Sequence, residues 1–492
     1  MILKGKERIR LLVVVLSAIL LFTFNAAAFA DGSTNNENNQ NIYDRIDDYL
    51  SNTVPKTHFP SFSITIVDNS ETLFSKTYGN YGSTDAPYVL GSVSKSFTAL
   101  CIMQLVEQGK VSLDAHLSDY LPDAADGERI TILQLLNHTS GLGEHQNLTN
   151  FRIVNEQGVH LYSNVNYSLL GKVIETVSGI SYEEYVTENI LKPLNMNNTY
   201  ADPKKASGLI DGYENWFGFN VETDNKYRNT LDAWITVPAG YISSSTEDLG
   251  RYLQMYLNGG ENIISADSIN EMFYNSVAVE DEIPYRYGMG WTLINEPLKR
   301  PVLRHSGLVE NGMSCIYILP EDNIGAAITI NTNDYFVGAD FADRVGWGVV
   351  LMLMGDEPNQ IALNEYVMKH LMYDGIYLAV FIISVLPLLF IGKYKKRLQK
   401  GSNWRIVAWM LAFHAVFPVF ILMLPRIFFG TPLWVVKAFV PDLFVVIMIS
   451  ACLLFAGGIV KMILFIRRML FHARYPYHYL QRQRRKERGL KF

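Results

Sequence analysis

The sequence predicts an α+β domain, an antiparallel sheet flanked by helices with a further helical region, followed by three transmembrane helices. Three observations lead there. Strand-like segments lie near both ends of residues 42–358 with helical stretches between them, so distant parts of the chain must meet in one sheet. Three apolar runs follow, each close to the ~20 residues a helix needs to cross a hydrocarbon core. The net charge of −6 divides into blocks: +3 over residues 1–30, −25 over 31–375 and +16 over 376–492. A chain of 492 residues with 49% hydrophobic content is not disordered, and its acidic body is not that of a nucleic-acid binder.

Residues 1–30 read as a signal peptide. Lys4, Lys6, Arg8 and Arg10 form a basic n-region, residues 11–24 an apolar stretch, and Ala28-Phe29-Ala30 a small-x-small cleavage site. A polar linker spans 31–41, and 42–358 form the extracytoplasmic domain. Within it, residues 62–67 and 71–78 have strand character around a turn at 68–70, which predicts a hairpin. Helices are expected over 93–108, ending at Gly109, and over 131–136, 166–177 and 182–190. Strands at 316–319 and 325–330 flank a turn at 320–323, and 341–354 reads as a closing helix. Cys101, Cys315 and Cys452 have neither metal-ligand nor disulfide spacing and read as packed thiols.

A connector over 359–375 leads to spans at 376–392, 406–424 and 443–465. Lys393, Lys395, Lys396, Arg397, Lys400 and Arg405 lie between the first two, and the 466–492 tail is basic throughout, whereas Arg426 and Lys437 alone lie between the second and third. The positive-inside rule therefore places the first connection and the C-terminal tail in the cytoplasm and the domain outside, the orientation a signal peptide also requires. The lipid bilayer is thus one expected partner. Pro387 and Pro418 predict kinks, and His414, with no carboxylate in any span interior, reads as a helix-packing group.

The sharpest local feature is Gly91-Ser92-Val93-Ser94-Lys95 at the head of the 93–108 helix. Ser92 sits where free N–H groups favour developing negative charge, and Lys95, three residues on, shares its face. Such a pair supplies a nucleophile and a base when the amine is desolvated. The spacing alone is common. Here Tyr162-Ser163-Asn164 precedes a helix, and His305-Ser306-Gly307 precedes the strand at 316–319. No H-E-x-x-H or G-x-S-x-G segment occurs, so no metal or cofactor is called for and the nucleophile-elbow route is disfavoured.

That ordered set resembles the motifs of the penicillin-recognising serine hydrolases, and residues 42–355 resemble the class C β-lactamase-related family. Stretches at 90–97, 135–142, 162–171, 192–196, 238–241 and 287–291 match as well. The resemblance implies that Ser92 forms an acyl-enzyme, that Lys95 and Tyr162 share the proton transfers, and that the backbone N–H groups of Ser92 and Leu308 form the oxyanion hole. Asn164 would bind the acyl-side amide of the substrate, with His305, Ser306 and Gly307 beside it; His138, Tyr241 and Trp291 are read as structural. His305 stands where many members carry lysine. A mostly neutral imidazole favours a free carboxylate less, so weak β-lactam hydrolysis and a small peptide or acyl-peptide substrate are expected.

A signal peptide, this catalytic unit and three C-terminal spans together resemble the prodrug-activating peptidases of nonribosomal-peptide pathways, such as the colibactin-maturing peptidase and its zwittermicin counterpart. Those are membrane-bound, face outward and remove an N-acyl-D-asparagine cap. Residues 305–315, with Asn311, are similar there too, whereas Asn164 stands where a small residue is expected. The resemblance implies cleavage of an acylated D-amino-acid amide. The alternative is a D,D-peptidase, D-aminopeptidase or esterase acting on cell-wall peptides. A sensor acylated once by a β-lactam is a third reading, opposed by cytoplasmic parts too short for an output domain.

Overall fold

The computed structural model describes residues 41–224, 230–280, 283–400 and 402–474. The signal-peptide residues, nearly all of the polar linker and the end of the basic tail lie outside the described residues.

Strands β1 (Ser61–Asp68) and β2 (Thr72–Gly79) form the expected hairpin. The carboxylate of Asp68 holds the turn by accepting from the N–H groups of Ser70 and Glu71. Helix α1 (Ile42–Thr53) covers one face of β1 with Ile46, Tyr49 and Leu50. The remaining strands come from the far end of the domain: β3 (Val277–Glu280), β4 (Ile283–Gly288), β5 (Trp291–Ile294), β6 (Val302–Val309), β7 (Gly312–Leu319) and β8 (Ile324–Ile330). They make one antiparallel sheet in the order β2-β1-β8-β7-β6-β5-β4-β3. Pairing of β1 with β8, Ile64 opposite Ile328, closes the chain on itself.

Period-two alternation divides the sheet between two cores. Phe62, Ile64, Ile66, Met313, Cys315, Tyr317, Ile328 and Ile330 face α1 and the closing helix α5 (Gly338–Leu353). Val67, Leu303, Val309, Ile316, Ile318 and Ala327 face the helical region, which includes α2 (Ser94–Glu107), α3 (Asn164–Ser178) and α4 (Thr246–Leu257). Helix α2 is buried continuously from Ser94 to Leu105, as expected of a helix without a polar face. Helix α3 stops at Gly179, whose φ of 76° supplies the left-handed cap.

Several boundaries differ from the sequence reading for local reasons. Helix α3 starts at Asn164, so Asn164 belongs to its first turn. The 182–190 helix is α-helical only over Tyr182–Val186 and continues as a wider π turn over Thr187–Leu191. His305-Ser306-Gly307 precedes β7 as expected but itself lies inside a strand, β6; Arg304 and His305 break the apolar alternation that marks strands, yet Arg304 is satisfied by Asp343 at 2.6 Å. Residues 365–375 of the expected connector are helical, because α6 (Glu365–Leu389) begins on the domain itself, where Glu365 meets Arg344 at 2.6 Å.

Helix α6, the segment α7 (Asn403–Phe429) and helix α9 (Pro441–Arg474) contain the three stretches long and apolar enough to cross a membrane. Within α7, residues Ala412–Val416 form a π turn around His414, whose Nδ1 meets the Leu454 carbonyl at 2.6 Å and whose Nε2 meets Lys461 Nζ at 2.8 Å. The short helix α8 (Leu433–Phe439) packs on the 42–358 domain, and Asp442 accepts from the Phe217 N–H at 3.2 Å. The basic segment Ile391–Lys400 meets α9 some 30 Å further along, where the Tyr394 hydroxyl reaches the Lys461 carbonyl. Domain and basic connection thus lie at opposite ends of the long apolar helices. The three cysteines are free; Cys101 and Cys315 are buried, and Cys452 is exposed on the apolar surface of α9.

Candidate active site

Ser92 lies in the 3₁₀ turn Gly91–Val93 that leads into α2. The turn requires glycine at 91: φ is 54°, and a Cβ there would stand 2.4 Å from the Leu308 nitrogen. Strand β6 therefore lies directly against the backbone that carries Ser92. At Gly307 the approach is closer still, since a Cβ would meet the Leu90 carbonyl oxygen at 1.8 Å. Ser314 on β7 donates to the same carbonyl at 2.5 Å.

One turn along α2, Lys95 is fully buried. Its Nζ lies 3.1 Å from Ser92 Oγ, 2.8 Å from Asn164 Oδ1 and 2.6 Å from the Ala239 carbonyl oxygen. Every partner is neutral, no carboxylate is in contact, and burial pulls the amine well below the usual lysine range. The Tyr162 ring covers the amine at 4.8 Å and its hydroxyl interacts with Ser92; burial nevertheless holds the phenol above its ordinary pKa, in the neutral form.

On β6 the His305 ring is fixed at both nitrogens. Nδ1 donates to the Ser306 carbonyl at 2.7 Å, so Nε2 accepts from the Tyr287 hydroxyl at 3.2 Å. Burial first, and then the nearby Lys95 amine, lower its pKa to about 3, so it is a neutral group. Ser92, Tyr162, His305, Ser306, Gly307 and Leu308 line one cavity of about 600 Å³ that continues past His160 and Tyr285. Lys95 and Asn164 lie beneath it. All eight residues singled out from sequence converge here.

Other contributors were not singled out. The Ala239 carbonyl acts through the backbone, which residue identity does not reveal. Tyr287 lay in a quoted stretch, but its link to His305 depends on strands β4 and β5 returning beside β6. His138, read as structural, is packed against Tyr162, Tyr287 and Tyr167 with ring centres 4.3, 4.9 and 5.2 Å away. Its Nδ1 accepts from the Ser163 N–H and Asn166 Nδ2, and burial keeps it well below the ordinary histidine pKa. It positions the Tyr162 ring from behind. Among the described residues no cluster of His, Cys, Asp or Glu could hold a metal ion.

The family profile described as Beta-lactamase matches residues 43–348. The chain belongs to the Beta-lactamase family. Within this fold family of serine hydrolases, it is 26% identical over 431 residues to Protein flp of Staphylococcus aureus (strain MRSA252), covering 79% of this chain and 84% of that protein. It is 30% identical over 258 residues to Penicillin-binding protein 4* of Bacillus subtilis (strain 168), and spans only 56% of that protein's length. Among solved structures, the octameric penicillin-binding protein homologue from Pyrococcus abyssi matches with a TM-score of 0.56 and 29% identity, over 64% of this chain and 78% of that one. A class C β-lactamase in complex with cefoxitin matches at 0.54 and 19% identity, over 64% and 98% respectively, which is a likeness of fold.

Proposed function

We propose that this chain is a membrane-anchored extracytoplasmic serine peptidase that cleaves an acylated D-amino-acid amide, D-Asn-like, through a Ser92 acyl-enzyme and so releases an exported peptide from its cap. The observation that carries the chemistry is the Lys95 amine, fully buried and 3.1 Å from Ser92 Oγ among neutral oxygens. A neutral amine has two N–H bonds and one lone pair. Asn164 Oδ1 and the Ala239 carbonyl take the two N–H bonds at the two shorter distances, which leaves the lone pair for the Ser92 hydroxyl proton.

As Ser92 Oγ attacks the substrate carbonyl carbon, its proton passes to Lys95, and the oxygen's developing charge is met by the N–H groups of Ser92 and Leu308. The resulting ammonium has three donors for the same three acceptors. Tyr162, beside Ser92 and covering Lys95, takes a proton from Lys95 and passes its own to the leaving nitrogen as the amide C–N bond breaks. Water then repeats the sequence on the acyl-enzyme and restores Ser92. The neutral state of His305 supports an uncharged amide neighbour in preference to a free carboxylate. The three long apolar helices support anchoring, and the basic segments at the end remote from the catalytic domain support its placement outside the cell.

A second reading, hydrolysis of cell-wall peptides, is favoured by the similarity to Penicillin-binding protein 4*. Membranes bearing the full chain separate the two when given N-acyl-D-Asn amides, D-Ala-D-Ala peptides and p-nitrophenyl esters, with Ser92→Ala as control. Preference for the acylated D-Asn amide supports the first reading and preference for D-Ala-D-Ala the second; full activity of Ser92→Ala overturns both.

A further inference from the structure

Helix α8, between the second and third apolar helices, has two different faces. Val435 and Phe439 are each only 7% exposed and belong to the same core as Val93 and Phe97, which flank the nucleophile's turn and helix. Trp434, 48% exposed, and Lys437 lie on the other face. Together with Trp234, Tyr241 and Glu310 of the catalytic domain, that second face lines a cavity of about 810 Å³. The Trp434 ring stands edge-on to Trp234 at 5.4 Å, and Trp234 stacks on His145 at the same spacing.

This cavity adjoins the catalytic machinery. Tyr241 ends the π turn Val237–Tyr241 whose Ala239 carbonyl accepts from Lys95. The Tyr241 hydroxyl donates to Glu310 at 3.0 Å, and Glu310 is the residue after β6. Glu310 lies two residues beyond Leu308, about 7 Å along an extended chain. The direction of a bound substrate follows from proton transfer. The leaving nitrogen must reach Tyr162, so the leaving group occupies the cavity lined by Tyr162, His160 and Tyr285. The acyl portion then runs the opposite way along β6, towards Glu310 and the wall formed by α8.

We propose that α8 completes an acyl-side subsite, in which Trp434 and Lys437 hold the N-acyl chain of a substrate drawn from the membrane surface. The inference rests on the acyl-enzyme reading above. Its occupant is an acyl chain because α8 joins the ends of two apolar helices, Phe429 and Pro441, so a chain passing Trp434 leaves the subsite at the hydrocarbon boundary, where indole rings are favoured. Trp434 and Lys437 determine specificity and do not touch the reacting atoms.

The full chain in detergent or nanodiscs can be assayed with p-nitrophenyl esters of 2, 6 and 12 carbons, which share one leaving group. Wild-type kcat/KM should rise with chain length. Trp434→Ala should reduce the ratio of the 12-carbon to the 2-carbon value at least ten-fold, Trp434→Phe should restore most of it, and Lys437→Ala should reduce it less. A wild type without length preference, or a Trp434→Ala variant that lowers all three esters equally, overturns the subsite. Loss of the acyl-enzyme reading is seen separately, as ester turnover that is the same in wild type and Ser92→Ala.

Discussion

Gly307→Ala tests the oxyanion assignment through one methyl group. A Cβ at 307 would lie 1.8 Å from the Leu90 carbonyl oxygen and 2.7 Å from Ser314 Oγ. Contacts of a Cβ atom essentially never fall below 3.0 Å, so either β6 or the backbone at Leu90 must move by at least 1.2 Å. Ser314 can rotate; the Leu90 carbonyl cannot, because it directly precedes the Gly91–Val93 turn. The displacement therefore falls on the spacing between the Leu308 N–H and Ser92. Overpacking of this kind costs roughly 1–3 kcal/mol of stability, which leaves a folded protein. Removing an oxyanion donor costs about 10²–10³-fold in kcat. Steady-state hydrolysis of p-nitrophenyl acetate, with a melting curve on the same preparation, should show a loss of that order with a Tm lower by a few degrees. A folded Gly307→Ala protein with more than half of wild-type kcat would refute the Leu308 assignment.

Three further outcomes follow from the same site. Lys95→Met should lower ester kcat/KM by about 10²–10⁴-fold, the usual contribution of a general base, and pre-steady-state traces should show the loss in Ser92 acylation. Stability should depend on His305 below neutrality. Its pKa of about 3 when folded lies below the ordinary 6.5, so the unfolded chain binds a proton that the folded chain lacks, and stability is full above pH 6.5 and falls on acidification. The loss approaches roughly 5 kcal/mol by pH 3, at 1.36 kcal/mol per pH unit; His305→Gln should flatten the decline in Tm between pH 6.5 and 5, and an unchanged slope would count against it. Nitrocefin turnover by the purified full chain should be slow, because neutral His305 offers a β-lactam carboxylate no fixed cation; rapid turnover contradicts this.

The parts legible in the sequence were those whose signal is local. The β1–β2 hairpin announced itself by strand character around the Asp68 turn, α2 by its length and Gly109, and Ser92, Lys95 and Tyr162 by motif order. Strands β4 and β6 are not legible because Arg286 in the first and Arg304 and His305 in the second interrupt the alternation, and only partners outside those strands, Ser276 for Arg286 and Asp343 for Arg304, remove the cost of placing the arginines on a sheet. Helix α4 was missed although Ser245 caps it by accepting from the Asp248 N–H. The role of α8 could not be read at all. Its apolar residues suit a membrane loop and a protein core equally, and only contact shows that Val435 and Phe439 belong to the catalytic domain.

In the proposed mechanism Lys95 must be kept neutral, which accounts for asparagine, and not aspartate, following Tyr162-Ser163. The domain is strongly acidic, yet Lys95 meets no carboxylate; its partners are a hydroxyl, an amide oxygen and a backbone carbonyl. Asn164→Asp would change one buried oxygen from neutral to charged while preserving its shape and its 2.8 Å distance from the amine. At an effective dielectric constant of 20, that pair attracts by about 6 kcal/mol. The ammonium form is stabilised by the same attraction, which opposes the burial that now disfavours it, and an ammonium cannot accept the Ser92 proton. The expected result is a protein that folds at least as stably as wild type, has little activity at pH 7, and regains activity as pH rises. The pH dependence of kcat/KM for p-nitrophenyl acetate measures this, since the rising limb should move to higher pH in the variant. A limb that stays in place while activity falls would mean that Asn164 acts on the substrate alone, and that the neutrality of Lys95 is set by burial without help from the residue beside it.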